Sequence, residues 1–125
     1  MQGTLGSAAT LVFAKSVIDN NTQGAGSIEA SGATISTHSG YPQATLNGFG
    51  QAANLDIVFS SGVCEADWCG LGNQTSIPSG ISITGDGRIG KLFLRGNRFS
   101  DECGVYYINH RDGSQPEIGI ETADC

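Results

Sequence analysis

At 125 residues the chain has the size of one domain and is long enough to bury a real core. Nineteen glycines and only 14% charged residues describe a surface of strands and loops, poor in long charged helices. Six basic against twelve acidic residues give a net charge of −6, which argues against nucleic-acid binding, and no run of about 20 apolar residues is present to span a membrane.

Residues 2–19 are predicted helical. Leu5, Ala8, Ala9, Val12 and Phe13 recur at three- and four-residue spacing, and Leu11, Ala14, Val17 and Ile18 widen the stripe. Lys15 and Asp19 are its only charges. A helix apolar over most of its circumference expects neighbours on more than one side. Gly3, Thr4, Gly6 and Thr10 are weak helix formers, so the segment would be marginal alone.

Asn20-Asn21 and Gly24-Ala25-Gly26 stop this helix. Residues of about 20–80 read as a variable loop region. Within it Ser27–Thr37 alternates imperfectly as a short strand or extended loop, and Tyr41-Pro42 marks a turn. Leu46–Phe59 holds a candidate short helix ahead of the apolar run Leu55-Asp56-Ile57-Val58-Phe59. The remainder is β-rich, with strands predicted at Ile81–Thr84, Ile89–Arg95, Val105–Asn109 and Ile118–Thr122. Asp86-Gly87 and Asp112-Gly113 supply turn chemistry between them. Short connections imply an antiparallel meander, and one helix followed by a meander gives a single α+β domain, the helix covering one sheet face.

Four cysteines, Cys64, Cys69, Cys103 and Cys125, lack the paired spacing of a zinc site. Two disulfides are expected, and they place the chain in an oxidising compartment. Three connectivities are open; the local pairs Cys64–Cys69 and Cys103–Cys125 are the choice adopted. The opening MQGTLGSAATLVF has no basic n-region and no long apolar run. Export therefore implies either a signal already removed or a soluble fragment beginning at an added Met1.

Gly85-Asp86-Gly87-Arg88-Ile89-Gly90 matches a dinucleotide fingerprint by letter, but a strand follows where the fingerprint needs a helix, so it reads as a hairpin turn. His38 and His110 stand among polar loop residues without a hydrolase or metalloprotease motif, and neither catalysis nor a cofactor is expected. Trp68, between Cys64 and Cys69 and flanked by Glu65 and Asp67, either covers the disulfide or faces a ligand such as a sugar. Arg88, Lys91, Arg95 and Arg98 fall within eleven positions. They form either a solvated strand face or a basic patch that docks on acids of a like subunit, with Asp101, Glu102, Asp112 or Glu121 as partners.

Together the opening LGSAATLVFAKSVI, the Gly40-Tyr41-Pro42 turn after Ile35-Ser36-Thr37, and the close Gln115-Pro116-Glu117-Ile118 through Ala123-Asp124-Cys125 resemble a type IV pilin lacking its hydrophobic N-terminal segment. The likeness is to pilins of the mannose-sensitive haemagglutinin class. It implies a precursor held in the inner membrane, cut by a prepilin peptidase and handled by a pilus assembly machinery, then stacked with like subunits in an extracellular filament. It implies Cys103 and Cys125 as the pair bounding the family's disulfide-bonded region at about 81–125, and Leu5, Ala8, Ala9, Leu11, Val12 and Phe13 as filament-core helix. Cys64–Cys69 has no counterpart in that pattern. The alternatives weighed are a minor pilin or adhesin binding a glycan or surface, a small secreted enzyme or inhibitor, and a conductive filament, for which the aromatics are sparse.

Overall fold

The computed structural model describes residues 2–30, 32–54, 56–83 and 85–125, apart from the Gln2 side chain. Helix α1 (Gln2–Ile18) follows the predicted span closely. Asp19 and Asn21 close its end by donating to the carbonyls of Lys15 and Ser16, and Asn20 takes a left-handed φ of 54°.

The loop region predicted for about 20–80 is more ordered than its composition suggests. Strands β1 (Ala25–Ala30) and β2 (Ala33–His38) form an antiparallel hairpin with Ile28 opposite Ile35, and β3 (Tyr41–Pro42) adds to β2. The turn expected at Tyr41-Pro42 lies one step earlier, where Ser39 (φ 55°) and Gly40 (φ 86°) take positive φ. A π-helical turn (Leu46–Gly50) stands where a short helix was expected. It is capped by Thr45, whose hydroxyl accepts from the Gly48 amide at 3.0 Å. Leu55 of the predicted apolar run lies outside the described residues.

A second sheet contains β4 (Val58–Phe59), β5 (Trp68–Gln74), β6 (Arg88–Leu94), β7 (Gly104–Asn109) and β8 (Glu117–Glu121), in that spatial order. β5 to β8 are antiparallel, the meander that short connections require, whereas β4 joins β5 in parallel. The strand predicted at Ile81–Thr84 does not join this ladder. Residues 75–83 instead lie over the sheet with one isolated bridge, Ser76 to Ser82, and Thr84 is outside the described residues. Ile77 there joins a buried cluster with Ile89 and Ile108, packed also by Ile81 and Ile83, so apolar burial rather than strand pairing explains the run.

The fold is thus α+β, with the helix on one face of the larger sheet. Leu5 and Ala9 pack with Leu92, Val105, Tyr107 and the π-turn's Phe49. Val12 continues the seam onto Ile28 and Ile35 of the hairpin, and Phe13 stacks on Tyr41 at 4.3 Å. Both predicted disulfides are present.

Candidate assembly surface

The sequence pattern makes α1 two-sided. Leu5, Ala9, Val12 and Ser16 are buried against the domain's own core. Gly3, Thr4, Ser7, Thr10, Leu11, Ala14, Val17 and Ile18 are exposed, and none carries a charge. Leu11 is 72% and Ile18 78% accessible, unusual for large aliphatic side chains two helical turns apart on one face. Lys15 is tied to Asp19 at 3.3 Å near the helix end. Beside Leu11 a shallow apolar groove runs between the helix and the hairpin, lined by Ala8, Val12, Ala30, Ala33, Ile35 and Ala52 among others.

The residues expected in a filament core therefore divide. Leu5, Ala9 and Val12 are consumed by the subunit's own core, because they occupy the stripe facing the sheet. Ala8 and Phe13 are half-buried at its margins. Leu11 alone of the six is freely presented, and Val17 and Ile18, which the prediction left out of that set, are presented with it.

The four cations do not form one patch. Arg88 and Lys91 belong to β6 and Arg95 follows it, so Arg88 and Arg95 stand on the order of 20 Å apart at strand rise. Arg88 donates to the carbonyls of Gly87 at 2.7 Å and Asp86 at 3.3 Å. Lys91 is not available for a subunit contact, since it is wholly buried. Residues 75–83 and the segment 96–102 cover the face it shares with Ile89 and Phe93. Its Nζ lies 2.5 Å from Glu121 Oε1, donates to the carbonyls of Phe99 and Asp101, and sits 5.4 Å from the Phe99 ring centre. Glu121, named as a candidate partner across subunits, is consumed by the same pair. Arg95 pairs with Asp67 at 3.2 Å and donates to the Glu65 carbonyl, and Arg98 is exposed with its amide on Asp101 Oδ2 at 2.8 Å.

Cys64 and Cys69 are buried with Phe93, whereas Trp68, one residue along β5, points to the opposite face. Half-buried, it shares a hollow with Leu94, Val105 and Ile120 beside the Cys103–Cys125 bridge. It covers the second disulfide's surroundings, not the first's. His38 Nδ1 stands on Ser39 Oγ at 3.0 Å, and His110 Nε2 lies 3.5 Å from Glu117 Oε1. Burial and Arg111 lower the His38 pKa, with Asp86 opposing.

Comparison with protein-family models, with curated proteins and with solved structures found no match.

Proposed function

We propose that this chain is a structural subunit of an extracellular filament, the head of a type IV pilin of the mannose-sensitive haemagglutinin class, and that it polymerises through α1. One observation carries the reading: the helix's inward face is already filled, yet its outward face presents Leu11, Val17 and Ile18, and the one cation beside them, Lys15, is paired with Asp19. An exposed apolar face of this kind is a contact surface. Contact with a different surface of the next copy propagates without closing, which is how a filament grows. The Cys103–Cys125 bridge fits a subunit exposed outside the cell, because it ties the segment after β8 to the start of β7 in a bond that oxidising surroundings keep. The role is structural; surface attachment or motility would follow from the filament rather than from a catalytic site.

The test is substitution of Leu11 by Lys and of Ile18 by Lys in the full-length gene product, in the cells that make it. Filaments seen by electron microscopy should disappear, while the purified domain keeps its melting temperature, because neither side chain supports the core. Filaments assembled at normal number by both variants would remove the reading. The adhesin alternative gains no specific support, since the surroundings of Trp68 are largely apolar where a sugar needs polar partners.

A further inference from the structure

We infer that the free edge of β4 is a docking site for an extended, apolar segment of another polypeptide that carries lysine or arginine. β4 ends the five-stranded sheet and, among the described residues, pairs only with β5. Sheet edges normally carry a lysine, a proline or another guard against strand addition. None stands between Asp56 and Val63, and the side chains presented there are apolar: Val58 is 49%, Phe59 62% and Val63 42% accessible. The remaining guard is the shortness of β4, two residues long. It limits an added strand to a few main-chain hydrogen bonds, so side-chain contact must supply much of the affinity, and binding is weak and reversible.

Charge selects the partner. No lysine or arginine occurs from residue 16 to residue 87, and the apolar patch is flanked by the exposed carboxylates of Asp56 and Glu65. Arg95, the cation that reaches this region, is engaged by Asp67 and the Glu65 carbonyl. A strand bearing bases would meet the exposed carboxylates of Asp56 and Glu65. The chain's own edges are the wrong kind. β1 carries Glu29, β8 carries Glu117 and Glu121, β3 is Tyr41–Pro42, and none of them has a lysine or arginine. The strand with bases, β6, is paired on both sides within the sheet. Among the described residues no strand edge of a second copy carries the complementary charge, so the occupant is a different polypeptide.

The probe is a short synthetic peptide alternating valine and threonine with a lysine at each end, titrated into the isotope-labelled domain and followed by amide NMR shifts. The expected result is saturable shifts confined to residues 56–63 and 68–70. A glutamate-ended peptide of the same core should bind at least about tenfold more weakly, a difference of about 1.4 kcal/mol. Phe59→Lys should abolish the shifts, and Glu65→Gln should weaken binding while leaving the β6 to β8 amides in place. Equal binding of the two peptides, shifts centred elsewhere, or a concentration-dependent dimer lost in Phe59→Lys would each overturn the inference.

Discussion

Lys91 and Glu121 hold their charges 2.5 Å apart at a point where neither side chain reaches solvent. They stand on β6 and β8, with β7 between them, and the pair bolts two covering segments to the sheet. Lys91 bonds the carbonyls of Phe99 and Asp101, and Glu121 Oε2 accepts from the Ser79 amide at 2.9 Å. Removing one partner strands a buried charge. Lys91→Met alone should cost about 3–5 kcal/mol in urea unfolding, and the double variant Lys91→Met with Glu121→Leu should recover a large part of that. A double variant as unstable as the sum of its singles would show that the pair does not act as a unit.

Tyr107 is buried and its hydroxyl donates to the Pro42 carbonyl at 2.6 Å. Burial, with a smaller contribution from Tyr41, raises its pKa far above the ordinary value of 10.0. The folded state therefore favours the neutral phenol. Its contribution is fully present below pH 10 and is lost as pH rises, because only the unfolded chain can ionise it. Stability should fall by about 1.4 kcal/mol per pH unit from this residue above that point. Tyr107→Phe should flatten that part of the alkaline profile, while costing about 1 kcal/mol at neutral pH through the lost hydrogen bond. Asn109 Nδ2 also donates to the Pro42 carbonyl at 2.9 Å and keeps that oxygen paired in the variant.

Gly90 sits in the middle of β6 because the Phe49 ring lies where a side chain would be, with Cζ 2.7 Å from an added Cβ. That ring is buried and stacks on Tyr107 at 5.1 Å. Gly90→Ala should destabilise by about 1–3 kcal/mol through overpacking. Adding Phe49→Leu should then cost less than it does in the unaltered protein. Strict additivity in this cycle would place the strain elsewhere.

Ser16 is fully buried on the inner face of α1, and its hydroxyl has no hydrogen-bond partner among the described residues. Ser16→Ala removes an unsatisfied polar group and improves helix propensity. The expected change is a gain of about 0.5–1 kcal/mol in thermal or chemical unfolding. A loss of stability would mean that the hydroxyl is serving a partner.

These sites show where sequence pattern was sufficient. α1 declared itself by period, and β6 to β8 by β-branched and aromatic runs between turn dipeptides. β5 did not, because Trp68-Cys69-Gly70-Leu71-Gly72-Asn73-Gln74 carries two glycines and reads as loop. Those glycines answer to remote residues. A side chain at Gly70 would strike Leu46 and Ile57, and one at Gly72 would strike the Ala44 carbonyl. Lys91 failed for the same reason, since alternation along β6 assigns it a face but cannot say that residues 75–83 and 96–102 fold over that face. On the candidate site, the apolar excess of α1 was legible. Which stripe the domain keeps and which it presents required the position of the sheet.

The seat of α1 joins residues distant in sequence: Leu5 and Ala9 rest on Leu92, Val105 and Tyr107, Ile118 of β8 packs against that cluster, and Val12 rests on Ile28 and Ile35. During synthesis α1 leaves the ribosome well before β6, β7 and β8, so the part of its seat that the larger sheet supplies follows it. A short helix with weak intrinsic propensity does not persist alone over that interval. Docking of α1 onto that sheet must therefore wait for β8, which leaves the stripe of Leu5 and Ala9 uncovered until then.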